Sequence, residues 1–504
     1  MSETPDRIAS PLRRLDALRL DNRFARLGEA YFSRVTPTPL TNPRLLHANA
    51  EVAALLDLDP SAVREPLFTQ VFAGNAPLPG GDPLAMLYAG HQFGVWVPQL
   101  GDGRAILLGQ VRNARGASWD LQLKGAGQTP YSRFADGRAV LRSSVREYLA
   151  GEALHHLGIP TTRALCLIAA DDPVRRETME TAAVICRVAP SHVRFGSFEV
   201  FYSRGQFERL APLADHVIDE HFADLSGRPD RHLRWLERIT DFTAELIAAW
   251  QAVGFCHGVM NTDNMSAVGV TLDFGPYGFI DGFDGHHICN HSDEGGRYAY
   301  DNQPRIGHWN CSRLVQACVP LLGETPEAAA ELGQSIVDRY PETYSRAMTG
   351  RWRAKFGLLD ARDGDEDLMN RFLTLLHRGR SDFTLSFRGL AAVRADDAAI
   401  PAALGDQVLD HDALGAWLAD YRARLRAQSE DDAGRAARMN RVNPLVVLRN
   451  HLAQRVIDDC AQGSTVELEH LLASLRRPYD EPAQAAHATV PPPDARHIAV
   501  SCSS

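Results

Sequence analysis

Lysine, cysteine and long apolar runs are scarce in this chain of 504 residues. Its eight cysteines include no C-x-x-C pair, which excludes a disulfide framework and gives no support to a paired-cysteine zinc site. No apolar run approaches the roughly 18 residues that cross a bilayer. Residues 1–15 carry Glu3 and Asp6 and lack the apolar centre of a signal peptide. We therefore expect a cytoplasmic protein without a membrane partner.

The overall composition is that of a globular protein with an acidic excess. Apolar residues make up 45% and charged residues 23% of the chain, and the net charge is -10. A nucleic-acid-binding protein needs clustered positive charge, so we expect no nucleic-acid partner. At about 150 residues per domain, the length allows two to four domains.

Only two of the 53 basic residues are lysines, Lys124 and Lys355. A position that keeps lysine in such a chain can require a compact ammonium group where a planar guanidinium would not fit. Lys124 is therefore the first candidate site residue, with chance survival of two lysines as the alternative.

Hydrophobic periodicity predicts a strand-rich first half and a helical second half. The predicted strands are 105–111, 119–124, 164–169 and 181–188. The predicted helices are 139–158, 233–250, 305–322, 326–348, 365–378, 412–428, 444–461 and 464–476. The sequence therefore predicts an α+β protein.

Three signals in the strand-rich half are typical of a phosphate site. Gly101-Asp102-Gly103-Arg104 forms a turn in which small residues let backbone N–H groups approach phosphate oxygens, with a plain hairpin turn as the alternative. Lys124 ends the next predicted strand on its polar face. Glu147 lies on the following helix, with room to receive the ammonium group. A solvated carboxylate is the alternative for Glu147, and Glu152 competes for the same role.

Oxygen ligands for a metal follow the helix at 233–250. Asn264 ends a loop that begins at His257, and Asp273-Phe274-Gly275 follows a short strand. The Asn264 amide oxygen and the Asp273 carboxylate are hard ligands that suit a divalent cation bridging nucleotide phosphates. These motifs follow the order of the parts of a protein kinase: a glycine turn, a strand lysine, a helix glutamate, an asparagine loop and a D-F-G tripeptide.

One kinase part is missing. When His257 is aligned with the kinase H-R-D-x-x-x-x-N sequence, Asn264 is in register. Gly258 and Val259 then stand where the arginine and the catalytic aspartate belong. Ordinary phosphorylation therefore lacks its usual base, and an acidic group is present instead at Asp263.

Several stretches resemble the selenoprotein O (YdiU) family of kinase-fold protein nucleotidyltransferases. They are DNRFARLGEAYFSRV from Asp21, YAGHQFGVWVPQLGDGRA from Tyr88, LKGAGQTPYSRFADGRAVLRSSVREYL from Leu123, and HGVMNTDNMS with LDFGPYGF. The similarity extends from about residue 20 to Cys502. It implies that ATP binds in a flipped orientation, so that the α-phosphate faces the acceptor and AMP is transferred to Ser, Thr or Tyr hydroxyls of protein substrates.

With the resemblance, the predicted architecture is a two-lobed protein-kinase-like fold with extensions at both ends. The predicted parts are an N-terminal extension at 1–85, a β-rich N-lobe at 86–200, a helical C-lobe at 201–400, a C-terminal helical extension at 401–477 and a flexible tail at 478–504.

The resemblance also implies individual roles. Asp263 would be the proton acceptor, and Asn264 and Asp273 would hold Mg²⁺ or Mn²⁺. The guanidinium groups of Arg187 and Arg194 could bind the β- and γ-phosphates and stabilise pyrophosphate, with ordinary surface arginine as the alternative. The implied nucleotide-binding residues are Gly101, Gly103, Arg104, Lys124, Asp136, Gly137, Arg187, Arg194 and Asp273, together with Glu147 as the partner of Lys124.

Three other activities stay open on the sequence. The first is transfer of UMP from UTP with Mn²⁺. The second is a nucleotide-binding pseudokinase scaffold without turnover, which Val259 favours. The third is a phosphotransferase that uses Asp263 as its base. The oligomeric state has no signal in the sequence.

Histidine and cysteine side chains near residue 290 carry two further expectations. His286, His287, Cys289 and His291 are candidate zinc ligands, with a polar loop as the alternative. Cys289 falls where a kinase activation segment lies, and Cys502 occupies the tail, near the position where the related family commonly has selenocysteine. We expect mild oxidation to join Cys289 to Cys502, with a functionless tail thiol as the alternative.

Overall fold

The computed structural model describes residues 12–493, 495, 498 and 500. Its strands are β1 (Phe32–Arg34), β2 (Arg44–Ala48), β3 (Leu84–Met86), β4 (Gly90–Gln92), β5 (Val95–Val97), β6 (Ala105–Arg112), β7 (Ser118–Lys124), β8 (Ala139–Val140), β9 (Arg163–Arg175), β10 (Met179–Ala189), β11 (Phe255–Cys256) and β12 (Gly278–Phe279).

Eight of these strands form one antiparallel sheet, in the order β1-β3-β6-β7-β10-β9-β2 with β8 beside β10. The four predicted strands are its central members β6, β7, β9 and β10, as their hydrophobic periodicity indicated. The strands β1, β2 and β3 come from the region predicted as an extension. Each is short and is held by pairing with a neighbouring strand, so it has no periodicity of its own to detect.

Helices make up most of the second half of the chain. They are α1 (Ala50–Leu55), α2 (Pro66–Phe72), α3 (Leu141–His156), α4 (Gly196–Ser203), α5 (Leu210–His221), α6 (Arg231–Ala252), α7 (Gln303–Cys318), α8 (Pro326–Lys355), α9 (Asp365–Gly379), α10 (Phe383–Leu390), α11 (Ala402–Gly405), α12 (His411–Arg426), α13 (Asp432–Met439), α14 (Asn450–Ala461) and α15 (Val466–Leu475). The predicted α+β class is confirmed. In the described part of the chain, no helix is both long and apolar enough to span a membrane.

Two predicted helix boundaries differ from the structure by more than five residues. Helix α8 continues to Lys355 instead of ending near 348, because Gly350 costs a helix only about 1 kcal/mol and good helix formers follow it. Helix α14 begins at Asn450 instead of 444. The backbone N–H groups of residues 445–446 donate to the carbonyl of Pro478, at 2.8 and 3.0 Å, and so lie outside a helix.

Alternation along the central strands determines which side chains face α3. Ile185 of β10 lies opposite Lys124 of β7, and Arg187 lies opposite Gln122. Successive side chains of a strand point to opposite faces. Lys124, Gln122 and Arg187 therefore share the face on which Ile185 packs with Val145 of α3. The other face of the sheet packs against α1 and α2.

Part of the segment predicted as a flexible tail packs against the rest of the chain. The imidazole of His487 is buried and lies 2.8 Å from the Ser474 hydroxyl. The carbonyl of Val500 accepts a hydrogen bond from the His291 N–H at 3.0 Å. Packing of this kind has no compositional signal, and the flexibility of the tail stays a prediction.

Candidate active site

A buried ion-pair network joins the sheet to α3. The ammonium group of Lys124 donates to Glu147 Oε2, and Arg187 Nε donates to the other oxygen of the same carboxylate. Burial would raise the pKa of Glu147, but the charges of Arg187 and Lys124 lower it. Burial lowers the pKa of Lys124 to about 8, against the opposing charge of Glu147. The predicted Lys124–Glu147 pair is therefore present, and it is ionised at neutral pH.

Glu152, the competing partner for Lys124, is engaged elsewhere. Its carboxylate accepts two hydrogen bonds from the Arg163 guanidinium, at 2.7 and 2.8 Å. Glu152 lies five residues after Glu147 on α3, a rotation of about 140° around the helix axis, so it points to a different strand. The alternative of a solvated Glu147 carboxylate is also wrong, because Glu147 is buried.

Asp273 is held by two arginines. Arg187 Nη2 donates to its Oδ1 at 2.7 Å, and Arg194 donates to its Oδ2. Burial would raise the pKa of Asp273, but Arg194 and Arg187 hold it well below the usual range. Its backbone has φ of 61°, a left-handed conformation that aspartate tolerates better than most residues. The carboxylate is therefore fully ionised and fixed in position.

The glycine turn brings a further cation to this cluster. Gly101 has φ of 132°, and an added Cβ would lie 2.4 Å from the Tyr131 ring, so only glycine fits there. Arg104 immediately precedes β6, and the charges of Glu147 and Asp273 act on its guanidinium. Within the described residues, the Arg104 side chain has no hydrogen-bond partner. Its donors are thus available to an anion.

The loop that contains Asp136 and Gly137 lies beside Arg104. Asp136 is exposed and accepts hydrogen bonds from Arg176 at 2.7 and 3.1 Å. Its pKa is lowered chiefly by the hydrogen bond from Arg176 and, to a lesser extent, by the charge of Arg104. Gly137 has φ of 71°, and an added Cβ would lie 2.2 Å from the backbone of Gly127. Gly137 therefore allows two backbone segments to meet.

Asp263 lies at the other side of the cluster. The side chain of Gln92 donates to its Oδ2 at 3.2 Å, whereas its Oδ1 is buried without a hydrogen-bond partner. Burial raises the pKa of Asp263 to about 7, against the opposing charge of Arg194. A carboxylate with a pKa near neutrality is suited to accept a proton. Arg194 also donates to the backbone carbonyl of Asp263 at 2.7 Å, which ties this loop to Asp273.

The donor set at Asn264 and Asp273 fits a hard divalent cation. The Asn264 amide nitrogen donates to the carbonyl of Val259 at 3.0 Å, so its amide oxygen remains as the ligand atom. Asp273 supplies an ionised carboxylate whose oxygens each have more than one lone pair. Oxygen ligands of these two kinds suit Mg²⁺ and Mn²⁺.

Comparisons with known proteins identify the family of this chain. The family model described as protein adenylyltransferase SelO matches residues 14–476. The chain belongs to the SelO family. A protein of Methylococcus capsulatus named protein nucleotidyltransferase YdiU is 54% identical over 497 residues, which cover 98% of each chain. The protein of the same name from Bordetella avium is 52% identical over 498 residues, 98% of this chain and 100% of its own. The chain is therefore an enzyme, of the nucleotidyltransferase class.

Four residues of this cluster were not predicted from the sequence. Asp102 is buried, accepts hydrogen bonds from Gln122 at 3.2 Å and from the Met86 N–H at 3.1 Å, and lies 3.9 Å from Arg194. Gln122 also accepts from Arg187 at 3.0 Å. Its place two residues before Lys124 on one strand was a usable signal. Tyr88, with its ring 4.8 Å from the Arg194 guanidinium, and Gln92 had no such signal.

The histidine and cysteine side chains near residue 290 do not form a metal site. Among the residues that the structure describes, only Glu51, His155 and His156 bring three potential metal ligands within 4.8 Å of one another. The zinc alternative is therefore not supported. Cys289 is buried, and its thiol lies 3.0 Å from the carbonyl of Pro276. Cys502 lies outside the described residues, so the predicted disulfide stays a prediction.

Proposed function

We infer that this enzyme transfers AMP from ATP to Ser, Thr or Tyr hydroxyls of proteins, in the cytoplasm. The observation that carries the inference is a cluster of four cationic side chains and two ionised carboxylates beside Asp263, whose Oδ1 has no hydrogen-bond partner. The cations are Lys124, Arg104, Arg187 and Arg194, and the carboxylates are Glu147 and Asp273. We further propose that the site lies between a β-rich N-lobe at 86–200 and a helical C-lobe at 201–400 of a kinase-like fold. The names of the relatives, which are protein nucleotidyltransferases, support the same reaction.

The cations are suited to the triphosphate. Arg104 has free donors, and the guanidinium of Arg194 has a buried Nε without a partner. Guanidinium groups bind phosphate oxygens through paired N–H donors. We assign Arg187 and Arg194 to binding of the β- and γ-phosphates. Lys124, which lies on the face of the sheet that packs against α3, would bind the phosphates from that side. In this orientation the α-phosphate is the one left to face the acceptor.

The reaction follows from these positions. Asp263 Oδ1 accepts the proton of the acceptor hydroxyl, whose oxygen forms a bond to the α-phosphorus. The bond from that phosphorus to the oxygen bridging it to the β-phosphate breaks, and its electron pair leaves with pyrophosphate. Arginines on the terminal phosphates stabilise the negative charge that grows there. Asn264 and Asp273 would hold Mg²⁺ or Mn²⁺, which offsets phosphate charge when bound.

Two labels distinguish this reaction from its alternatives. ATP labelled at the α-phosphate should label protein substrates, and ATP labelled at the γ-phosphate should not. Transfer of the γ label alone would instead establish a phosphotransferase that uses Asp263. Nucleotide binding without transfer of either label would establish a silent scaffold. A parallel series with α-labelled UTP and Mn²⁺ tests the UMP reaction.

A further inference from the structure

The hairpin formed by β4 and β5 covers the loop that carries Asp263. Its first strand supplies Gln92 to the Asp263 carboxylate. At its turn, the Phe93 N–H donates to the side-chain oxygen of Asn261 at 3.1 Å and to the Tyr298 hydroxyl at 3.0 Å. An acceptor that delivers a hydroxyl to Asp263 therefore passes beside this hairpin.

The outer side of the hairpin is apolar and exposed. Val95 is 68% exposed and Phe93 is 37% exposed. The Phe93 ring packs at 5.2 Å from the ring of Tyr298, so the exposed phenyl group is held in place. Held aromatic side chains bury area on binding with little loss of conformational freedom, which makes them effective contact residues.

Two arginines border this apolar surface. The guanidinium groups of Arg297 and Arg313 lie 4.8 and 5.3 Å from the ring centre of Trp309 on α7. Arg297 also lies against the hairpin turn, because a Cβ added to Gly94 would be 3.0 Å from its guanidinium carbon. The three residues Arg297, Arg313 and Trp309 are half-buried.

Neither arginine has a carboxylate partner in the described part of the chain. Arg234 and Arg238 of α6, by contrast, each pair with an aspartate. Arg297 Nε is buried and has no hydrogen-bond partner. Two stacked cations without counter-charges are complementary to an acidic ligand.

We propose that Phe93, Val95, Trp309, Arg297 and Arg313 form a docking surface for the acceptor polypeptide, and that the two arginines select acidic residues flanking its target hydroxyl. This acceptor surface rests on the proposed AMP transfer to proteins. It deepens that function by naming the class of sequence that the enzyme modifies.

Synthetic peptides test the acceptor surface. Each peptide carries one Ser, Thr or Tyr, flanked on both sides by glutamate, by lysine or by glutamine, and transfer is measured from α-labelled ATP by the full-length enzyme. We expect kcat/KM to be about tenfold higher for the glutamate peptides than for the glutamine peptides, and lowest for the lysine peptides. The charge-reversed variant Arg297→Glu with Arg313→Glu should invert this order. A misfolded protein could not gain activity on lysine peptides.

The control is Arg378→Glu, at an exposed arginine in the last turn of α9. It should keep the wild-type order of peptides. Equal labelling of all peptides by the wild type, or an unchanged order in the double variant, would overturn the acceptor surface while leaving AMP transfer intact. Transfer of the α label to no peptide and no protein would overturn both. Binding of a single-stranded oligonucleotide that the double variant loses would assign the surface to nucleic acid instead.

Discussion

Replacing Lys124 with arginine tests the ion-pair network at its centre. Lys124 is 6% exposed and ends β7 between β6 and β10, so its backbone has little freedom to adjust. Its partner Glu147 already binds the Arg187 guanidinium, and the charge of Arg104 also acts on this site. In the variant, a second guanidinium group would have to bind the Glu147 carboxylate from the position of the smaller ammonium group. The planar group does not fit that space in the same direction.

The expected loss of turnover can be calculated from the hydrogen bond of Lys124 that the substitution disturbs. A charge-assisted hydrogen bond contributes about 1.5–3 kcal/mol, so a misplaced cation at 124 should lower turnover by 10- to 150-fold. Glu147 keeps Arg187 as a partner in the variant and is not left as an uncompensated buried charge. We therefore expect a small loss of stability, within the range of about 1–3 kcal/mol that overpacking costs.

The assay is transfer from α-labelled ATP, with nucleotide affinity from calorimetry and unfolding free energy from urea titration. Lys355→Met is the control because it changes the other lysine, which lies among the C-terminal helices. It should leave turnover unchanged. Full turnover in Lys124→Arg would refute the reasoning, and would mean that Lys124 has no need of an ammonium group.

Four further predictions follow from the structure. Asp263→Asn should lower turnover by about 10²–10⁴-fold with nucleotide affinity retained, since it removes a proton acceptor; unchanged turnover would mean a different base. In the wild type, turnover should rise as pH increases through about 7, where Asp263 loses its proton; a flat profile from pH 6 to 8 would contradict this assignment. Asp273→Ala should abolish activity at every Mg²⁺ or Mn²⁺ concentration and weaken nucleotide binding measured with the metal present, because it removes a charged ligand and the partner of two arginines. Burial lowers the pKa of Lys355 to about 7. Between about pH 7 and 10 the unfolded chain therefore binds one more proton than the folded chain, and the free energy of unfolding rises with pH by up to about 1.4 kcal/mol per pH unit. Urea titrations of Lys355→Met should lack this part of the pH dependence.

The central strands could be predicted from the sequence, but the edges of the sheet could not. Strands β6, β9 and β10 contain short apolar runs, and β7 alternates apolar with polar residues, so their own composition predicts them. Strand β1 has only three residues and pairs with β3 through Phe32 and Arg34. Its conformation depends on the neighbouring strand and not on its own residues. Local patterns therefore identify the core of the sheet and leave out the segments that complete it.

The same limit applies to the candidate site. Lys124 lies on a strand and Glu147 on the helix that follows it. Side chains repeat their direction every 2 residues along a strand and every 3.6 residues along a helix, and these two periods are enough to predict that Lys124 and Glu147 can face each other. Gln92 meets Asp263 from 171 residues away. No local pattern specifies that contact. The resemblance to a family supplied Arg187 and Arg194, whose shared contact with Asp273 depends on the packing of the whole sheet against the loop.

Both lysines of this chain are buried. Lys124 is buried beside a carboxylate, whereas Lys355 is buried against aromatic rings, with its nitrogen 4.2 Å from the centre of Phe387. A buried arginine cannot give up its proton, but a buried lysine can, and burial alone lowers the pKa of Lys355 to about 7. Arginine is nevertheless buried at other positions, among them Arg187 and Arg194, so burial alone does not select lysine. The carboxylate partner is what distinguishes Lys124 from Lys355.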